Sequence, residues 1–301
     1  MHTYLRAVGF SNIVKVSEED KLLETIMTSF TERITYKISD NEKFMEVTKY
    51  FDKHIGITIR GICDEEGNFH IEHYFPFLRG RIGNVEEQII VNKKNDNNAY
   101  SCMCDDVRLG VSLIFYMQNV IDYFNRAKTK VTSKRIYKIY LSGLSVNGKI
   151  LLPIERNNKS LENMSREHRK RSKLLAEAKQ GSREALDDLT ISDMDKFAMI
   201  SRRTKHEDVY SIVNTSFYPY GTESDNYTVI GTIMECDLIE NKITGEKLYY
   251  MLIECNELML NICINQKDLF GEPYVGARYK GIVWLQGKID FTSNNDNNKN
   301  I

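Results

Sequence analysis

The chain has almost no net charge to act with. Its 301 residues carry 41 Lys and Arg against 42 Asp and Glu, a formal charge of −1. That excludes a global basic field that would gather nucleic acid or anionic membrane, so any polyanion contact must come from a local patch. Long apolar runs are also lacking. The longest, around Leu109 to Phe124, is broken by Ser112, Gln118, Asn119 and Asp122. It is too short and too polar to span a bilayer. The first residues, Met1 to Lys15, lack the basic-then-apolar pattern of a signal peptide. Cysteines are few. The six are scattered, several inside strand-like runs, which suits reduced, buried thiols in a cytoplasm better than a disulfide framework. Catalytic signatures are missing as well: there is no GxSxG elbow, no HExxH and no GxGxxG. An enzyme would have to assemble its site from distant positions.

Hydrophobic residues make up 42% and charged residues 28%. This is the usual mix for a soluble globular protein, long enough for about two domains and a sizeable core. Near the start, Ser17 and Asp20 precede an apolar pattern at Leu22, Leu23, Ile26 and Met27, which predicts a capped helix over 17–30. Two alternating runs, 55–63 and 69–75, flank the Gly-containing turn 64–68 and read as a β-hairpin with Ile55, Ile57 and Ile59 inward. Strand-like pieces follow at 85–91 and 99–104 around a polar loop. The run 107–124 fits both periods. Its length and the capping capacity of Asp105 and Asp106 favour a helix. Tyr137 to Ser145 and Lys149 to Ile154 read as a hairpin about Asn147-Gly148, the preferred pair for a tight turn.

Composition shifts at Glu155 to Lys159, a candidate boundary. A charged helix is expected over 165–180, ended by Gly181, with two shorter helices at 182–189 and 192–201. Strands at 229–234, 248–253, 258–264 and 279–289, with a turn at Thr244-Gly245 and a helical turn at 268–271, then read as a small OB-like β-barrel. Gly276, Gly281 and Gly287 would ease the bending of its last strand. The polar tail 292–301 is expected to be disordered. The fold class is therefore α+β: an N-terminal mixed sheet-and-helix domain (1–155), a helical connector (156–205) and a C-terminal small OB-like β-barrel (206–291).

Parity in the last strand separates two faces. Tyr279, Gly281, Val283, Leu285 and Ile289 suit the interior, while Arg278, Lys280, Ile282, Trp284, Gln286 and Lys288 point outward. The only tryptophan, set among cations, resembles a single-strand nucleic-acid platform, so Arg278, Lys280, Trp284 and Lys288 are the candidate binding residues. The reading weighed ahead of it docks Ile282 and Trp284 against the N-terminal domain, with the long cations covering the rim. A second candidate is the loop 75–83, where Arg79 and Arg81 could hold an anion, although it lacks the spacing and lysine of a P-loop. The basic run 165–173 reads first as a solvated helix face, with a nucleic-acid or ribosome contact as the alternative. Metal ligation is a weak reading: His70 and His73 sit three apart on one strand and face opposite ways, and Cys102-Met-Cys104 does not have zinc-ribbon spacing. No cofactor is expected.

Four strings carry a family likeness: residues 1–11, 110–119, 214–221 and 271–287. They resemble a bacterial family, found chiefly in clostridia, that is a domain of unknown function, and the likeness covers nearly the whole chain. It implies a cytoplasmic bacterial protein and brings no activity, ligand or site residue with it. The favoured expectation is a binding or regulatory module contacting nucleic acid or another protein, with no membrane partner. The alternatives are an enzyme with its site in an interdomain cleft and an adaptor with no small ligand.

Overall fold

The structure, a computed structural model, describes residues 2–292 apart from 84, 95–97, 107, 110, 128–134, 155–157, 206–208 and 223. The chain opens with a 3-10 turn, Thr3–Val8, closed by Gly9 in the left-handed region (φ 93°). Helix α1 (Val16–Thr28) follows. The Glu18 carboxylate accepts from the amides of Val14 and Lys15 at 3.0 and 3.1 Å, so this cap starts the helix just before the expected Ser17.

Four strands then form an antiparallel meander: β1 (Glu32–Lys37), β2 (Lys43–Tyr50), β3 (Ile55–Cys63) and β4 (Phe69–Leu78). The β3–β4 hairpin stands where alternation placed it, with Ile55, Ile57 and Ile59 fully buried. Next come β5 (Val85–Gln88), β6 (Ile90–Lys94), β7 (Ala99–Asp106), β8 (Val111–Met117), α2 (Val120–Ala127) and β9 (Ile136–Leu151). The helices α3 (Asn158–Lys179), α4 (Arg183–Arg203) and α5 (Val209–Ile212) precede β10 (Ser216–Pro219), β11 (Asn226–Glu240), β12 (Lys247–Cys255), β13 (Leu258–Asn265), β14 (Leu269–Phe270) and β15 (Arg278–Asp290).

The protein is α+β and strand-rich. Among the described residues its strands make two sheets. One is β1-β2-β3-β4. The other runs β10-β11-β12-β13-β9-β15-β8-β7-β6, with β14 and β5 also paired to β9 and β11 also paired to β15. Among the described residues no helix is long and apolar enough to cross a membrane. The tail 293–301 lies outside the described residues.

Three local expectations are corrected. Residues 111–117 are strand, not helix, because Leu113, Phe115 and Met117 are buried in register with β7; the helix begins only at Val120. The Asn147-Gly148 pair makes no turn. It lies inside β9, which pairs with β15 from Lys138 to Leu151. Gly148 serves packing there: a Cβ would lie 2.7 Å from Tyr279 and 2.9 Å from Ile264. The two short helices expected after Gly181 are the single helix α4.

Side chains of the larger sheet pack in two directions. Tyr279, Val283, Leu285 and Ile289 of β15 join Val229, Met251, Ile253, Leu260 and Ile262 in one core. Trp284, Leu144, Tyr250 and Cys263 point the other way, into a second core with Leu5, Val8, Ile26, Ile57 and Phe75. This second core welds the N-terminal turn, α1 and the meander to the outside of the larger sheet. β9 lies between β13 and β15, so a strand from before residue 155 is built in among the C-terminal strands.

Candidate functional site

A cleft opens where β4 ends, α2 begins and β15 runs out. Its floor is a buried amide network. The Gln118 side-chain amide donates to Leu78 O (2.8 Å) and to Gln286 Oε1 (2.9 Å), and Gln286 donates to Pro76 O (2.8 Å). Gln286 is fully buried, so these bonds fix β4 against β15 rather than merely decorate them. Asn119 completes the seam. It donates to Ile289 O at 2.8 Å and accepts from Ile289 N at 3.0 Å, which sets α2 over the end of β15. Gly80 lets the chain leave β4 across β9, since a Cβ would stand 2.7 Å from Leu141 O.

The cleft has a volume of about 760 Å³ and joins a smaller one of about 200 Å³ that shares Arg79, Gln118, Asp122 and Lys288. Three cations line the larger space: Arg79, Arg126 and Lys288. Asp122 and Asp290 supply carboxylates, and Tyr140 and Phe291 supply rings. The Arg79 guanidinium stacks 4.6 Å from the Tyr50 ring centroid and 3.7 Å from Glu32, half exposed. Deeper in, Glu46 meets Arg60 at 2.6 Å. Arg60 is fully buried and also donates to Tyr116 Oη (2.9 Å) and Gln118 O (2.8 Å). Burial pushes the Glu46 carboxyl above its ordinary value, and the Arg60 charge only partly opposes this. The arrangement can hold an anionic group between its cations, accept hydrogen bonds at its carboxylates and stack a flat ring.

The six residues singled out in the sequence do not share one place. Arg79 and Lys288 converge in this cleft. Trp284 is 6% exposed and stacks on Tyr4 (centroids 5.3 Å apart), with Tyr116 and His2 at 5.2 and 4.9 Å. The N-terminal turn covers Trp284, the arrangement of the docked reading of Ile282 and Trp284 rather than of the outward contact face. Arg278 is 4% exposed and donates to the carbonyls of Leu152, Val213 and Tyr210, tying β15 to the segments that flank the helices. Lys280 donates to the Tyr210 hydroxyl. Arg81 bridges to Glu235 at 2.7 Å and lies over Tyr250. Gln118, Asp122, Arg126, Tyr140 and Phe291 were not foreseen. Only Gln286 carried a signal, as an outward polar residue beside Lys288 in the last strand.

A second polar cluster joins Ser11, Glu246, Asn265 and Lys267. Lys267 Nζ donates to Ser11 Oγ (2.9 Å) and to Glu246 Oε1 (3.0 Å), and Ser11 Oγ donates to the same oxygen at 2.5 Å. Burial opposes ionisation of Glu246, but the bonds from Ser11, Lys267 and Asn265 together hold its carboxyl below the usual range. With Ser11 itself buried, the cluster acts as a clasp between the N-terminal segment and β12–β13. Burial likewise raises the Cys104 and Cys255 thiols to about 12, which keeps them protonated near neutral pH. His70 meets Asp64 (2.9 Å) and His73 meets Tyr116 Oη (2.7 Å). The expectation that they face opposite ways is corrected: a bulge at Glu72 resets the alternation, so His70 pairs with Ile62 and His73 with Arg60, on one face of β3. Among the described residues no three His, Cys, Asp or Glu side chains group as a metal site would require.

Two welded sheets with a charged cleft at their junction make up a strand-rich α+β protein. The chain belongs to the family described as "Domain of unknown function, E. rectale Gene description (DUF3881)", which matches residues 5–287. No curated protein and no solved structure matches it.

Proposed function

We propose that the protein is a ligand-binding module that holds a small anionic, ring-bearing molecule of the nucleotide type in the cleft between β4, α2 and β15. The observation that carries this is the convergence of Arg79, Arg126 and Lys288 on a space of about 760 Å³ that also presents Tyr140 and Phe291. Three cations suit a phosphate, a ring suits stacking, and Asp122 and Asp290 suit the donor edge of a base. The volume falls within the range of ordinary ligand sites.

The finer reading of the fold supports this location. β11, β12 and β13 form an antiparallel meander, β13 pairs β9 in parallel, β9 pairs β15, and β15 returns to β11. We read these five strands as a closed OB-like barrel whose closing strand, β9, comes from before the helices. OB barrels bind oligonucleotides on the face of their second and third strands. Here the equivalent face, β12–β13, carries Leu248, Tyr250 and Cys263, all buried against the N-terminal part. The open surface is the cleft at the end of β15. A cytoplasmic setting fits the six free cysteines.

The test is a thermal-shift panel of nucleoside monophosphates and their nucleosides. A nucleotide at a hundred times its dissociation constant adds about 2.7 kcal/mol to the folded state. The reading requires a shift with a nucleotide that its nucleoside does not give. No shift with any nucleotide at millimolar concentration overturns it.

A further inference from the structure

We infer that the α3–α4 hairpin is the surface through which two copies of this chain associate. The inference does not depend on the cleft. Helix α4 is apolar on two sides. It buries Ala185 and Leu189 (2% and 8% exposed) toward α3, and it leaves Leu186, Ile191, Met194 and Phe197 at 50%, 60%, 67% and 74% exposed. At about 100° per residue Leu186, Met194 and Phe197 occupy one arc of roughly 80°, away from the buried pair, and Ile191 lies at its edge beside the groove toward α3. A soluble helix carries an apolar stripe on each side it packs, and among the described residues α4 has α3 along one side only. A single exposed leucine is ordinary, but a row of three along three turns is not.

The occupant is argued from charge and shape. Outside the groove between the two helices, the exposed cations of α3, Arg166, Arg169 and Lys173, complement the exposed acids of α4, Glu184 and Asp187. Within one copy, Arg171 pairs with Asp193 across the hairpin and fixes the two helices side by side. A two-fold partner offers the same two helices, so its basic α3 meets the acidic flank of this α4, as an isologous interface requires. Between α3 and α4 lies a groove of about 520 Å³, lined by Leu174, Leu189, Ile191 and Met199 together with charged side chains, among them Lys170 and Asp188. Size is also sufficient. Helices of 22 and 21 residues at about 1.5 Å rise and about 10 Å width present about 600 Å² per copy. That is about 1,200 Å² in total, at the lower edge of stable specific interfaces.

Sedimentation velocity of the full chain from about 1 to 100 µM tests the inference. The wild type should sediment as a dimer at the upper end. Phe197→Glu and Met194→Glu should sediment as monomers, with unchanged circular dichroism and unchanged emission from Trp284, which lies in the distant second core. A charge reversal, Asp187→Lys, removes no apolar contact and should weaken association at least tenfold. A wild type that is monomeric at 100 µM, or a dimer indifferent to all these substitutions, overturns the proposal. So does recruitment of another protein by a monomeric chain through this face.

Discussion

Replacing Trp284 with alanine removes the indole that joins β15 to the N-terminal turn. Its ring is 6% exposed and meets Tyr4, Tyr116 and His2 at centroid separations of 5.3, 5.2 and 4.9 Å. Large aromatic-to-alanine truncations in a core cost about 3–5 kcal/mol, the sum of lost transfer energy and the cavity left behind. The surrounding wall comes from the meander, the N-terminal turn and the larger sheet together, so it cannot collapse easily and the upper half of that range applies. For a chain of this size, at about 2–4 °C per kcal/mol, the melting temperature should fall by about 8–20 °C. Trp284→Phe keeps a ring in the stack and should lose about half as much or less. Urea unfolding followed by far-ultraviolet circular dichroism measures the loss without relying on the missing fluorophore. In the wild type, emission should be blue-shifted and move red in the same transition. A loss under about 1 kcal/mol for the alanine variant would refute the packing argument and return Trp284 to the surface.

Two further predictions follow from buried polar groups. Burial lowers the His2 imidazole to about 4, although Asp225 pulls it up, and the Tyr4 amide donates to His2 Nδ1 at 3.3 Å, which fits the neutral ring. The unfolded ring titrates near 6.5, so between about pH 6.5 and 4 only the unfolded state takes up this proton. Stability from this group is therefore present above pH 6.5 and lost as pH falls to 4. With the ring partly exposed, the loss is discounted to about 1–2 kcal/mol. His2→Gln should flatten that slope in denaturation curves taken across the window, and an unchanged slope would contradict it. Arg60→Ala should cost about 3–5 kcal/mol by stranding the Glu46 carboxyl. Adding Glu46→Ala should recover part of the loss, and a double mutant no better than the single would disprove the pairing.

Legibility in the sequence followed the range of the forces involved. The β3–β4 hairpin and the two faces of β15 could be read because alternation of Ile55, Ile57 and Ile59, or of Tyr279, Val283 and Leu285, is a local record of burial. Asn147-Gly148 misled because its local preference for a turn lost to a distant partner: Gly148 is small to admit Tyr279 and Ile264, residues more than a hundred positions away. The run 111–117 satisfies two periods, and only pairing with β7 decides between them. Parity on β15 separates Trp284 from Tyr279, Val283 and Leu285, but what covers Trp284, Tyr4 and its neighbours, comes from the other end of the chain. Arg79 and Lys288 were each singled out for separate reasons. Nothing local says that they meet, because Gln118 and Gln286 bring them together only after both sheets have formed.

Calorimetric titration of the strongest nucleotide from the panel into wild type, Arg79→Ala and Lys288→Ala tests the central claim most directly. Both side chains are solvent-accessible, so the variants should keep the stability of the wild type to within about 0.5 kcal/mol. Each lost charge contact to a phosphate should weaken binding about tenfold or more, and added salt should weaken the wild type as well. Binding of the same strength in all three proteins would show that the cleft between β4, α2 and β15 is not the site.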